Sequence, residues 1–357
     1  MLNDALIKVR KTVKMLKAEL MPTTEDNSLT FLSFNEDNYY YSRLTKHQKT
    51  VYSIILTGLL KIDKEISIPL LSIEEISTIF SAVIHDNPML FYVSAFSVSS
   101  SMYSSHCSFI PNYKYDKQFI LQNIKIVNNF LHVFDKVKSK SDVDKEMYVH
   151  DYCLENFSYD YSFSDYSYSV LGPILNKTAV CDGIAKFVKL ALDYLEVPCL
   201  VVSGQANNPM QSSAMEGHSW NIVSINKKCY HLDVTWDLCL TRDAKRYDYY
   251  NLCDEDILKD HVITEKVPVC NTQGQDYYSK NGLIANNPEE LKRIITARLK
   301  NGEKRIMVKL NNVQSADGIV DKVSKISMDQ YMANINKSVK IEIGSNLSQM
   351  VFEICYK

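Results

Sequence analysis

Apolar positions Leu2, Ala5, Leu6, Val9, Val13, Leu16 and Leu20 recur at threes and fours with lysines between them, which predicts an amphipathic helix over residues 1–20. Asp4, Glu19 and the modest hydrophobicity favour packing on the protein itself over a membrane surface. MPTTEDNS (21–28) reads as a turn or short linker. A second helical pattern runs from Tyr39 to Leu60. Ser72-Ile-Glu-Glu75 is a capping box that opens a third helix, and Asp86-Asn-Pro88 ends it before the strand-like run Met89 to Ala95. Residues 99–118, polar and aromatic with Ser99-Ser-Ser101 and Pro111-Asn112, read as a loop boundary. Two more helices follow, Gln118 to Val137 and Asp142 to Asn156.

From Ile184 the apolar residues Ile184, Phe187, Val188, Ala191, Leu192 and Leu195 make one buried stripe that Val197-Pro198 terminates. Cys181 lies three residues before Ile184, and Asn176, Thr178 and Asp182 are the polar residues that gather at a helix start. The cysteine is therefore expected in the first turn of a core helix. Unpaired backbone N–H groups there favour a thiolate and suit an oxyanion. Downstream, 218–225 and 228–235 alternate as two strands, with Asn226-Lys227 as a two-residue turn. In that register Ile225 faces Lys228, His218 faces Thr235, and Asp233 is the diagonal neighbour of His218 on the same face.

RYDYYNL (246–252) reads as another strand and Asp254 to Asp260 as a short helix. In the last unit Asn287 caps, Pro288 and Glu289-Glu290 open a helix, Gly302 ends it and Ile306 to Leu310 form a strand. A helix near Ser315 to Asn334 and a hairpin, Val339 to Ile343 with Val351 to Tyr356, complete a small α+β unit. The expected division is 1–117, mainly helical; 118–268, the core with the cysteine helix and the hairpin; and 269–357, the C-terminal unit.

Composition narrows the class. Apolar residues at 46% and charged ones at 23% describe an ordinary soluble globular chain. A net charge of −2, from 40 basic and 42 acidic side chains, gives no electrostatic case for a nucleic-acid partner. Nine cysteines, odd in number and without C-x-x-C spacing, suggest neither a disulfide framework nor zinc. MLNDALIKVRKTVKML has no uninterrupted apolar run, so neither a secretion signal nor a membrane span is expected, and a reducing cytoplasm is the expected location.

Chemistry enters through three residues. A thiol acts as a nucleophile only as thiolate, so it needs a base beside it and a third group that fixes the tautomer of that base. Cys181, His218 and Asp233 supply those types. His231 is the rival base, because it shares a face with Asp233, and Asp237 is the rival orienter. Trp220 and Trp236 are candidates to wall the site, and Asn221 to hydrogen-bond near the base. FSYDYSFSDYSYS (157–169) is either an aromatic wall for substrate or a surface loop whose rings pack locally.

VCDGIAK opening a helix, GHSWN on one strand and YHLDVTWD on the next resemble the transglutaminase-like superfamily of papain-related thiol enzymes. Tyr39 to Leu59, His85 to Tyr92 and Arg246 to His261 are similar to stretches of transglutaminase-domain proteins of low-GC bacteria. The resemblance implies an α+β fold in which a helix carrying the cysteine packs on an antiparallel sheet carrying His and Asp. It further implies Cys181 as nucleophile, His218 as base and Asp233 as orienting acid. Papain-type enzymes place the histidine roughly 130 or more residues after the cysteine; here 37 residues separate Cys181 from His218. Animal transglutaminases carry an oxyanion-holding Trp upstream of the cysteine, whereas both Trp residues here lie downstream, which leaves Tyr166, Tyr168 and Asp182 as candidates near substrate or oxyanion. The expected activity is acyl transfer or amide hydrolysis on a protein or peptide, with no cofactor and no metal. Some members of the superfamily have lost catalysis and serve as binding modules, and that alternative stays open here.

Overall fold

The computed structural model describes residues 2–20, 37–101, 104–208, 215–313, 315–335 and 338–357. Its contacts divide the chain into two compact units, Met1–Val201 and Val202–Lys357.

In the first unit α1 (Leu2–Leu20) buries Ala5, Leu6, Val9 and Val13, four members of the predicted stripe. The side chains at 16–20 and the expected linker at 21–28 lie outside the described residues. The single helical pattern of 39–60 is two helices, α2 (Tyr39–Ser42) and α3 (Lys46–Lys61). The break has a local cause: Thr45 and Gln48 form a reciprocal capping box that starts α3 afresh. β1 (Ile66–Pro69) follows, then α4 (Ile73–Asp86), which starts at the expected Ser72/Glu75 box.

At the end of α4, Asp86 accepts the Tyr40 N–H at 3.3 Å and the Tyr41 N–H at 2.8 Å, so it caps the first turn of α2 from a distance. Burial pushes its carboxyl up to about 6, against the pull of Lys189 and those two N–H groups.

The expected loop at 99–118 is instead the second half of a hairpin. β2 (Val93–Ser100) pairs with β3 (His106–Tyr113), and a sheet of order β1-β3-β2 results. The serines disguised an inward alternation of Cys107, Phe109 and Pro111. Pro111 lies past the end of β1, where only β2 flanks β3, so it disturbs one ladder and not two. After it come α5 (Lys117–Leu131), which passes into a 3₁₀ turn at His132–Val137, and α6 (Asp142–Asn156). Two short parallel strands, β4 (Ser158–Tyr159) and β5 (Thr178–Ala179), lead into α7 (Cys181–Tyr194). The predicted stripe of α7, from Ile184 to Leu195, is buried throughout.

The unit boundary falls inside β6 (Cys199–Ala206). β7 (Glu216–Ile225) and β8 (Lys228–Leu232) form the predicted hairpin, followed by α8 (Val234–Leu240), α9 (Asp254–Ile257) and β9 (His261–Ile263). The sheet order is β8-β7-β6-β9. Gly204 is required on β6: a Cβ there would run into the Val262 carbonyl and the Trp220 ring. Residues 246–252 are not the expected strand. Arg246 grips both oxygens of Asp248 at 3.0 and 2.6 Å, and a single bridge from Leu252 to His231 joins the segment to the sheet, so a buried ion pair shapes it where a ladder was expected.

The C-terminal part follows its punctuation. α10 (Tyr277–Lys280) and β10 (Ile284–Ala285) precede α11 (Pro288–Lys300), capped by Asn287. β11 (Arg305–Leu310), α12 (Ile319–Ile335), β12 (Ile341–Asn346) and β13 (Val351–Tyr356) complete a sheet of order β10-β11-β13-β12 with its own core. Among the described residues no helix is long and apolar enough to cross a membrane.

Candidate active site

The cysteine and its expected partners lie in different units, and each is built by its own surroundings. On the cysteine side the tyrosine-rich loop is organised by one carboxylate. Asp160 accepts hydrogen bonds from Ser162 and Ser164, through both their N–H and hydroxyl groups, and from the Ser167 hydroxyl, which hold its carboxyl well below the usual range. The loop so gathered is seated on the helix start: the Ser167 carbonyl accepts the Val180 N–H at 3.2 Å, and a Cβ on Gly183 would collide with that same carbonyl. This accounts for the glycine of VCDG.

Cys181 is the first residue of α7 and half-buried, as its position in the pattern predicted. The expected polar caps are not there. Asn176 ends a π-helical turn, Thr178 belongs to β5, and the residue before Cys181 is Val180, which offers no side-chain cap. The helix thus begins without a side chain folded over its first N–H groups.

A cavity of about 390 Å³ opens beside this helix start, walled by Phe80, Phe91, Lys114, Tyr168, Asp182 and Lys186 among others. Tyr168 and Asp182 therefore line one cavity, with Asp182 held to Lys186 at 2.6 Å. Tyr166 packs against Phe119 and Tyr115 instead.

The expected histidine and aspartate hang on the hairpin. Asn226 and Lys227 have φ of 52° and 63°, the left-handed pair of a type I′ turn, and the ladder runs Ile225 to Lys228 through Asn221 to Leu232 in the predicted register. The ladder stops there. Asp233 leaves the strand and becomes the N-cap of α8, its Oδ1 accepting the Trp236 N–H at 3.1 Å. Val234, Thr235 and Trp236 are helical and not strand, so His218 and Asp233 do not meet as diagonal sheet neighbours. They meet all the same: His218 Nε2 donates to Asp233 Oδ2 at 2.7 Å, with both side chains buried.

Trp236 stacks on the His218 ring at 4.2 Å and 9°, and Trp220 lies parallel to it at 6.0 Å. Both indoles thus lie nearly parallel to the His218 ring. Asn221 is buried on β7. The indole N–H of Trp236 is buried and has no hydrogen-bond partner among the described residues.

Burial alone would push the Asp233 carboxyl up, but His218 and His261 together hold it well below the usual range. His261, the first residue of β9, is the site residue that the sequence pattern missed. Its Nε2 lies 3.1 Å from Asp233 Oδ2 and its Nδ1 2.7 Å from Asp260 Oδ1. An adjacent Asp260-His261 step just after a short helix pattern was its available signal.

The rivals have other work. The indole N–H of Trp220 can only donate, so it fixes His231 Nδ1 as acceptor at 3.0 Å, and the His231 proton then sits on Nε2 facing Asp254 at 2.9 Å. His231, Asp254 and Cys270 lie close enough together to hold a metal ion, but this proton placement leaves His231 Nε2 without a lone pair to offer. Asp237 accepts the Tyr249 N–H.

Residues 132–234 match the model of the transglutaminase-like superfamily. The transglutaminase-like region runs from the 3₁₀ turn to the first residue of α8 and includes Cys181, His218 and Asp233. Two solved structures are similar to the chain at 12% identity: a candidate cysteine protease from Cytophaga hutchinsonii, with a TM-score of 0.26 over 40% of this chain, and a TGase, with a TM-score of 0.30 over 55%. The chain covers 61% and 60% of those two proteins. No curated protein matches it. The family match is confined to residues 132–234, a region of mixed helix and sheet.

Proposed function

We propose that the protein is a cysteine-dependent acyltransferase or amide hydrolase acting on a protein or peptide, with Cys181 as nucleophile, His218 as base and Asp233 as orienter. The observation that carries this reading is the buried 2.7 Å bond from His218 Nε2 to Asp233 under the Trp236 ring. That bond assigns the Nε2 proton, and Nδ1 is the nitrogen proposed to take the thiol proton. In the proposed reaction the Cys181 sulfur adds to a carbonyl carbon, and the imidazolium returns the proton to the departing amine as the C–N bond breaks. The resulting thioester is released to water or to a second amine. The cavity at the start of α7 is the proposed seat of the substrate side chain, with Phe80, Phe91, Tyr168 and Lys114 among its lining residues. Residues 118–268 are the proposed catalytic core. Nine free cysteines suit a reducing compartment, and the cytoplasm is the proposed location.

The test is a screen of the full chain for ammonia release from glutaminyl peptides, for amine incorporation into casein and for casein cleavage. Activity in one of these assays should fall by at least about 10³-fold in Cys181→Ala and in His218→Ala. A Cys181→Ala protein that retains the activity overturns the reading. A wild type inert in all three assays, with a peptide bound in the cavity, would favour a binding module.

A further inference from the structure

We propose that His261 is a positioning residue: a ring clamped between Asp233 and Asp260 that fixes the carboxylate on which His218 is oriented. Its catalytic consequence rests on the acyl-transfer reading; the clamp itself does not.

Both ring nitrogens of His261 face carboxylate oxygens, Asp233 Oδ2 at 3.1 Å and Asp260 Oδ1 at 2.7 Å, and all three side chains are buried. In their other contacts both carboxyl groups accept. Asp233 already accepts from His218 and from the Trp236 N–H, and Asp260 accepts from the Tyr249 hydroxyl at 2.7 Å and from Gln349 at 3.2 Å. Each therefore needs a donor, and the ring can satisfy both only by carrying a proton on each nitrogen.

The surroundings agree with an imidazolium. Burial acts against the charge, but the bonds to Asp233 and Asp260 outweigh it and raise the affinity of His261 for its second proton. The other groups facing the ring are His218, whose centroid is 5.5 Å away, the Trp220 and Tyr249 rings at 5.0 and 5.7 Å, and His231, which burial keeps neutral. One positive charge thus stands between two negative ones.

The consequence is directional. Asp233 Oδ1 is fixed by the Trp236 N–H, and Oδ2 is shared between two histidines on either side, so the carboxylate cannot swing away from His218 without losing the second donor. His261 touches neither the thiol nor the proton in transit; it acts through Asp233.

Two variants separate this role from packing. His261→Phe keeps the ring and drops both donors, whereas His261→Gln loses the ring and keeps one N–H for Asp233. If His261 only filled space, phenylalanine would be the milder change; the clamp predicts the reverse order. In the full chain labelled with ¹⁵N-histidine, the slowly exchanging His218 Nε2 proton should persist in wild type and in His261→Gln and vanish in His261→Phe. Wild-type His261 should show protons on both ring nitrogens at pH 7. In the assay identified above, kcat should fall about tenfold in His261→Phe with KM within about twofold, and within about threefold of wild type in His261→Gln.

The proposal is overturned if phenylalanine preserves the His218 proton while glutamine loses it, or if the wild-type ring carries a single proton at pH 7. The wild-type spectrum decides even if neither variant folds. A failure of Cys181→Ala to abolish turnover would remove the acyl-transfer reading and leave the spectroscopic result standing.

Discussion

Asp233 shows how much one side chain can be asked to do: it caps α8, receives His218 and anchors His261. Its carboxyl is lowered in the folded chain, so its contribution to stability is present above the unfolded carboxyl value of about 3.9 and is lost as pH falls through the folded one. Asp233→Asn should therefore unfold at lower denaturant than wild type at pH 7, by about 2–4 kcal/mol, with the gap closing as pH drops below about 4 in parallel urea titrations. Asp86 has the opposite sign, because folding raises its carboxyl to about 6 and the carboxylate form is the disfavoured one in the fold. At this scale the sequence was legible where residue type dictates chemistry. His218 and Asp233 could be paired on parity alone, yet the path by which they meet could not, because an aspartate that follows a strand can continue it or cap the next helix, and only the Trp236 N–H decides which.

Elements were legible where punctuation is strong. Ser72 and Asn287 started the helices they were expected to start, and the Asn226-Lys227 turn set the hairpin register. Thr45 carries the same capping signal, but the apolar periodicity of 39–60 ran across it and concealed the break between α2 and α3. Thr45→Ala should lower stability by about 1 kcal/mol in thermal or urea unfolding. The same change at exposed Thr78, whose hydroxyl only returns to the Glu74 carbonyl of its own helix, should stay within about 0.5 kcal/mol. β3 was hidden for a different reason: serines precede it, and its inward Cys107 and Pro111 are not residues that announce a sheet. The segment 246–252 misled in the other direction, since its tyrosines suggest a strand, whereas Arg246 and Asp248 pair with each other and Leu252 alone bridges to His231.

For the molecule as a whole, near-neutral charge and unpaired thiols were readable from composition, whereas the unit boundary inside β6 was not, since a strand gives no compositional break at Val201. The cysteines divide by burial into Cys107, Cys153, Cys253 and Cys270, which are enclosed, and five that are half-buried, Cys181 among them. Burial pushes the Cys153 and Cys270 thiols far up. Mass spectrometry after brief iodoacetamide treatment of the native protein should find Cys153 and Cys270 unmodified, and all nine cysteines labelled in guanidinium. One small feature bears on how long such a molecule lasts. Lys227 holds a left-handed φ that strains an L-residue by about 1 kcal/mol, and glycine would relieve it. But an Asn-Gly step cyclises and deamidates far faster than Asn-Lys, and isoaspartate at 226 would lengthen the turn that sets where His218 stands. The strained lysine slows the chemical ageing of the hairpin.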